Sequence, residues 1–120
     1  MQNQEQHDIR MAEMKFSTVY PHYVTKVTKK GRSVEELHQV IYWLTGYSED
    51  DIENCIRQDI SFEDFFKHAT LHPNSDKITG LICGYRIEEI QNPLTQKVRY
   101  LDKLVDELAK GRKMEKILRT

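Results

Sequence analysis

Polar-tipped aromatic residues and basic residues recur along this chain in a combination that can bind an anion. The set consists of Tyr20, His22, Tyr23, Arg86, Arg99, Tyr100 and Lys103. Arg and Tyr side chains donate hydrogen bonds to carboxylate and phosphate oxygens, and Arg99 and Lys103 are spaced to share one face of a helix. Together these residues could line a pocket for an anionic ligand. The favoured interpretation is instead a buried network in which the arginines pair with nearby carboxylates and fix the helix packing. The carboxylates available for such pairs are Glu88, Glu89 and Asp102.

A second group of residues, Asp64, His68 and His72, has the four-residue spacing that could hold Zn²⁺ on one face of a helix. Pro73 follows at once and would end that helix, and histidines near a helix C-terminus also suit the helix dipole. We therefore treat the three as a weak metal candidate and predict no metal site. The chain shows no Gly-rich phosphate loop, no paired carboxylates in a recognisable arrangement and no Ser/His/Asp order. We expect no cofactor, and the sequence favours a protein that is not an enzyme.

Charge is unevenly distributed along the chain. Between Glu13 and Glu35 the charged residues are all basic, whereas the segment 48–64 is strongly acidic. A basic first helix could bind nucleic-acid phosphates, or the basic and acidic helices could simply lie side by side. The formal net charge of −1 over 120 residues favours the second interpretation, so nucleic acid is not the expected partner.

About six α-helices are predicted to position these residues. Apolar residues recur at steps of three and four from Ser17 to Lys30 and again in the segments that begin near Val34 and Leu94. Ser33 and Ser48 are predicted N-caps. Residues 84–90 could be helical or form a short extended segment. The fold class is therefore predicted to be all-α, an irregular or orthogonal helical bundle.

The chain is predicted to hold one domain. Residues 1–14 are polar and Gln-rich and are expected to form a flexible tail, with a single helical domain over 15–120. Cys55 and Cys83 have apolar neighbours and are expected to be free, buried thiols. Neither a signal peptide nor an apolar run of about 20 residues is present, which predicts a soluble, cytoplasmic protein with no membrane partner.

Several longer segments follow one another in an order typical of one bacterial family. They are Val19-Tyr-Pro21, Lys29-Lys-Gly-Arg32, Trp43-Leu-Thr-Gly-Tyr47, Ile82-Cys-Gly-Tyr-Arg86 and the segment from Arg99 to Gly111. From about Phe16 to its C-terminus the chain resembles the bacterial domain-of-unknown-function family numbered 2200. The resemblance implies a small, mostly α, stand-alone bacterial protein and implies no activity. The chain departs from the usual family pattern at His68, Ala69 and His72, so a function based on these histidines would be peculiar to this protein.

Three functional hypotheses remain. The preferred one is a small, non-enzymatic, cytoplasmic binding or interaction protein whose partner is another protein or an anionic small molecule. The alternative is an anionic small-molecule-binding protein or an enzyme that uses the Tyr/Arg/Lys cluster, and the third is a nucleic-acid binder. A closed ion-pair network would favour the first, and an open polar pocket would favour the second. Trp43 and Tyr47, large aromatics at a helix end, leave a homodimer open.

Overall fold

The computed structural model describes residues 3–119 and places them in a mostly helical bundle. Its helices are α1 (Asn3–Glu13), α2 (Phe16–Thr28), α3 (Val34–Thr45), α4 (Glu49–Arg57), α5 (Phe62–Lys67), α6 (Pro93–Ala109) and α7 (Met114–Ile117). Two short strands, β1 (Leu81–Ile82) and β2 (Tyr85–Arg86), form an antiparallel hairpin. The prediction of an irregular, mostly α bundle is confirmed. Within the stretch left open at 84–90, residues 85–86 are extended and Ile87–Glu89 is a 3₁₀ turn.

Helix α6 is the centre of the bundle and packs against α1, α2, α3, α5 and α7. Its start is fixed locally, because the Asn92 side chain accepts a hydrogen bond from the Thr95 N–H at 2.9 Å and Pro93 occupies the first turn. Its apolar face is fully buried at Leu101, Leu104 and Leu108. Side chains on the other faces of this one helix are therefore presented to several neighbouring elements at once.

Two helix starts confirm predictions made from single residues. Ser33 accepts from the Glu36 N–H at 3.1 Å while the Glu36 carboxylate accepts from the Ser33 N–H at 3.0 Å, which is a complete capping box. Ser48 and Asp51 form the same arrangement at the start of α4. These starts can be predicted because every partner lies within four residues.

The segment expected to be a flexible tail, 1–14, instead contains α1. Met11 is 6% exposed and belongs to the core, and α1 packs against α5 and α6. The sequence gives little indication of this helix, because among its described side chains only Met11 is buried and the remainder are polar or partly exposed. Its position depends on contacts with other helices rather than on its own periodicity. Met1 and Gln2 lie outside the described residues.

The two cysteines differ in exposure. Cys55 is buried as expected, but Cys83 is exposed, so the prediction of a buried thiol there is wrong. Cys83 and Gly84 form the two-residue turn of the hairpin, with φ of 51° and 83°. Two successive positive φ values give a turn whose twist matches that of the flanking strands. The apolar neighbour Ile82 points inward, while the turn itself projects away from the core.

No helix within the described residues is long and apolar enough to cross a membrane.

Candidate functional site

Arg99, Asp102 and Tyr23 form a hydrogen-bonded network between α2 and α6. The Arg99 guanidinium donates from Nη1 to Asp102 Oδ2 at 3.0 Å, and the Tyr23 hydroxyl donates to Asp102 Oδ1 at 2.7 Å. Burial, followed by the negative charge of Asp102, raises the pKa of Tyr23 well above its usual value. Tyr23 is therefore a neutral donor, and both oxygens of the Asp102 carboxylate are occupied. This network holds α2 against α6.

Arg99 also reaches α1 and the hairpin. Its Nη2 donates to His7 Nε2 at 3.4 Å, and its Cζ lies 5.0 Å from the centre of the Tyr85 ring. The rings of His7 and Tyr85 are stacked at 5.8 Å. The Arg99 side chain is nine-tenths buried, and its Nε has no hydrogen-bond partner among the described residues. A buried guanidinium with one N–H unsatisfied retains capacity for a further acceptor.

An open cleft of about 1140 Å³ lies beside this arginine. Its walls are α1, one side of α5, the hairpin, residues 89–92 and the first turns of α6. The charged residues that line it are Glu5, Asp8, Glu63, Glu89, Lys67, Arg86, Lys97 and Arg99. The volume is slightly above the roughly 300–1,000 Å³ typical of small-molecule sites. Four acidic and four basic residues leave the lining close to neutral, so the position of each charge matters more than the sum.

The positive end of α6 opens into this cleft. Asn92, Pro93, Leu94 and Thr95 all line it, and a helix N-terminus carries a partial positive charge. A carboxylate of the chain itself already lies there: the Thr95 hydroxyl donates to Asp8 Oδ1 at 2.7 Å. The Gln4 amide donates to the same oxygen at 3.0 Å. The first turn of α6 therefore holds an anionic group in this structure.

The seven residues proposed as one anion-binding set lie in several places. Arg86 and Arg99 line the cleft, and Tyr23 joins Arg99 through Asp102. The remaining four do not line it. Tyr20 is hydrogen-bonded to His38 at 2.5 Å, and His38 in turn contacts Glu49 at 3.1 Å, on the side of α2 that faces α3 and α4. Burial, with smaller contributions from Glu49 and Glu53, raises the pKa of Tyr20.

The other three residues that lie away from the cleft are His22, Tyr100 and Lys103. His22 is exposed on α2, and Tyr100 is buried, which raises its pKa with a further contribution from Asp76. Lys103 donates from Nζ to the Leu81 carbonyl at 2.9 Å and so ties the hairpin to α6. Arg86 lies 3.7 Å from Glu88 and 3.9 Å from Glu89 in exposed pairs, which contribute little stability.

Asp64, His68 and His72 do not share a helix face, because α5 ends at Lys67. The His72 ring stacks on Trp43 at 4.2 Å, and its Nδ1 accepts from the Asn74 N–H at 2.9 Å. Within residues 3–119, no group of three or more His, Cys, Asp or Glu side chains is arranged to hold a metal ion.

Four residues of the site were missed by sequence reasoning: His7, Asp8, Tyr85 and Thr95. His7 and Asp8 fall in the segment expected to be a tail, and Tyr85 in the stretch whose structure was left open. The spacing of Thr95 and Arg99, one helical turn apart on α6, was the one available signal for a shared polar face.

Residues 10–119 match the family described as uncharacterised proteins conserved in bacteria, DUF2200. The chain is a member of the DUF2200 family. The fold is similar to that in a crystal structure of the uncharacterized protein SP1917, with a TM-score of 0.85 and 47% sequence identity over 91% of this chain and 90% of that one. A comparison with curated proteins gives no match.

The segment that matches the DUF2200 family begins at residue 10, so it includes only part of the cleft lining. Tyr23, Arg86, Thr95, Arg99 and Asp102 lie inside the matched segment. The first part of α1, which supplies Gln4, His7 and Asp8 to the same cleft, lies before it. The α6 and hairpin walls of the cleft thus belong to the family segment, while most of α1 does not.

Proposed function

We propose that this DUF2200 protein is a small, non-enzymatic, cytoplasmic binding protein whose cleft takes an anionic small molecule. The observation that carries the proposal is the convergence of the α6 N-terminus and the Arg99 side chain on one wall of an open cleft of about 1140 Å³. Asp102 holds the Arg99 guanidinium in place at 3.0 Å, so the cation would be presented without further ordering.

Two further cations extend this wall. Lys97 makes no ion pair among the described residues, and Arg86 makes only the two long, exposed pairs with Glu88 and Glu89. Both line the cleft. A carboxylate or phosphate bound near the start of α6 would gain from the helix dipole and from charge-assisted hydrogen bonds to these side chains.

Binding is favoured over catalysis by the pairing of the titratable groups. A general acid or base must be free to exchange a proton with a substrate at hydrogen-bond distance. The Tyr23 hydroxyl is buried against Asp102, and Tyr20 is paired with His38 on a different side of α2. Tyr23 and Tyr20 therefore support packing, whereas the basic side chains that line the cleft are suited to hold an anionic ligand.

The experiment is the thermal unfolding of the purified full-length chain against a panel of organic acids, phosphorylated metabolites and nucleotides. A ligand present at one hundred times its dissociation constant stabilises the native state by about 2.7 kcal/mol, which gives a clear rise in Tm. We expect a rise with at least one anion and its loss in Arg86→Ala and Lys97→Ala. The control is Lys116→Ala, an exposed lysine outside the cleft, which should retain the full shift. A shift that persists in both cleft variants would reject the role of these two cations, and the absence of a shift with every anion of the panel would contradict the proposal.

Nucleic-acid binding is the less favoured candidate, because the basic stripe of α2 is interrupted. Lys26 pairs with Asp106 at 3.2 Å, and Arg32 pairs with Glu36 at 3.0 Å while donating to the carbonyls of Leu108 and Arg112. Helix α2 also packs against the acidic α4. Binding of a short duplex that weakens steeply with added salt would support this candidate in place of the anion cleft.

A further inference from the structure

The Asp8 carboxylate occupies the position in which a bound anion would be expected. It accepts from the Thr95 hydroxyl at 2.7 Å, at the third residue of a 17-residue helix, where the helix dipole favours negative charge. Thr95 is 3% exposed, and both Thr95 and Asp8 line the cleft. The chain therefore fills its own anion position.

Arg99 lies one turn further along the same face of α6 and is only partly satisfied. Its Nε has no partner among the described residues although the side chain is nine-tenths buried. Its contact with α1 is a long one, 3.4 Å to a histidine nitrogen. An imidazole is a weaker partner for a guanidinium than a carboxylate, which can accept two parallel hydrogen bonds. Thr95 and Arg99 thus form a polar strip that is covered by α1. The side chains of α1 do not satisfy all of the hydrogen-bond donors in this strip.

Helix α1 contributes few buried side chains to the core. Among its described side chains only Met11 is buried. The chain just after α1 is fixed, because the Met14 carbonyl accepts from Phe62 at 2.8 Å and the Phe16 N–H donates to Ile60 at 2.9 Å. Opening of a helix that buries few side chains costs less free energy than unfolding of the whole bundle.

We infer that Asp8 is an internal substitute for the ligand, and that Thr95 and Arg99 form a carboxylate-binding strip that α1 closes. This inference rests on the proposed function and specifies its ligand class: a small organic acid whose carboxylate displaces Asp8 from Thr95 and engages the free Nε–H of Arg99. A carboxylate is favoured because the group now held is itself a carboxylate, and because one hydroxyl and one guanidinium match two planar oxygens.

A tethered competitor lowers the apparent affinity for a free ligand. Asp8 is held near Thr95 by the chain, so its effective concentration is in the millimolar range typical of short tethers. The observed dissociation constant of a free carboxylate equals its intrinsic value divided by the fraction of molecules in which the strip is open. Removal of the Asp8 carboxylate should therefore tighten binding without adding any contact.

The test is a titration of glutarate into the full-length chain, followed by the ¹H–¹⁵N NMR signals of the Thr95 amide and the Arg99 Nε–H. We expect Asp8→Ala to lower the dissociation constant at least fivefold and to shift both signals. Glu5→Gln is the matched control, since it removes a carboxylate from the same helix and the same cleft without touching Thr95, and it should change the constant less than twofold. Thr95→Val in the Asp8→Ala background should abolish the gain.

Any of three results would overturn the inference. Glutarate could bind the unmodified chain and Asp8→Ala with equal affinity, it could fail to bind Asp8→Ala, or the NMR shifts could fall on residues away from Thr95 and Arg99. If glutarate binds the unmodified chain and Asp8→Ala equally and depends on Arg86 and Lys97, the proposed function stands and the internal substitute is rejected. If the Asp8 effect is present but Arg86→Ala and Lys97→Ala bind glutarate normally, the strip stands and the proposed role of those two cations is rejected.

Discussion

At the scale of single residues, Asp102 accepts hydrogen bonds from Arg99 and Tyr23 and so links three side chains of α2 and α6. A hydrogen bond to a charged acceptor contributes roughly 1.5–3 kcal/mol, more than a neutral one. In Tyr23→Phe, Asp102 keeps Arg99 but loses the hydroxyl. We therefore expect the free energy of unfolding to fall by about 1.5–2 kcal/mol.

Chemical denaturation followed by circular dichroism would measure this loss. The control is Tyr42→Phe, since Tyr42 is 60% exposed and the same substitution should change the stability by less than about 0.5 kcal/mol. Equal effects of the two substitutions would show that the Tyr23–Asp102 contact does not stabilise the fold.

Glu36 gives a second residue-scale prediction, because Arg32 and the Ser33 N–H lower its pKa from 4.5 to about 2. A carboxyl whose pKa is lowered on folding stabilises the folded state above its unfolded pKa. That stabilisation is lost as the pH falls from about 4.5 to about 2. The side chain is 31% exposed, so solvent screening reduces the effect to roughly 1–2 kcal/mol.

We expect Glu36→Gln to destabilise the protein at pH 7 and the difference from the unmodified chain to shrink steadily between pH 4.5 and pH 2. Urea denaturation at a series of pH values measures it. Glu35→Gln removes an exposed carboxylate from the same first turn of α3 and should show a much smaller difference. A Glu36→Gln effect that is constant with pH would mean that the ion pair with Arg32 contributes nothing.

The sequence analysis named two of the basic residues that line the cleft and missed several of its other members. Arg86 and Arg99 were named in the sequence analysis, and both line the cleft. They could be named because basic residues within family-like segments can be recognised from the sequence alone. His7 and Asp8 were missed, since a polar side chain shows its partner only once the helices are packed. Lys103 was named for its charge, but it binds a backbone carbonyl of the hairpin.

At the scale of elements, helix boundaries were predictable wherever the determining contacts are local. The predicted caps at Ser33 and Ser48 each act within four residues, and both are present. The helix α1 and the exposed turn at Cys83 were not predictable in this way. Helix α1 depends on docking to α5 and α6. The turn depends on positive φ values at Cys83 and Gly84, and the residue type suggests such a value only at Gly84.

The docking of α1 leads to a prediction about Met11, its one buried described side chain. Met11→Ala removes the apolar anchor and should cost about 2 kcal/mol, mainly by releasing α1. Amide hydrogen exchange should accelerate across α1 while α6 stays protected. Met14→Ala, at a side chain that is 40% exposed, should leave the exchange of α1 nearly unchanged. Uniform acceleration through α6 would contradict the idea that α1 moves as a separate unit.

At the scale of the whole molecule, α6 joins the core to the cleft. One face of this helix packs the leucines of the core, another carries Arg99 and Thr95 toward the cleft, and its start supplies the positive end of the dipole. A second charged region lies at its far end, where Arg32 brings the loop after α2 next to the loop after α6. The basic residues of these two loops form the alternative place for an anion among the described residues: Lys29, Lys30, Arg32, Lys110, Arg112 and Lys113.

The most direct test of the central claim is a ¹H–¹⁵N NMR map of the full-length chain with the anion that most raises its Tm. Binding in the cleft predicts that the largest shifts fall on residues 85–92 and 95–99, with Lys97→Ala weakening them. Shifts concentrated instead on residues 29–32 and 110–113, and unchanged in Lys97→Ala, would contradict the cleft as the binding site and assign anion binding to the basic loops at the opposite end of α6.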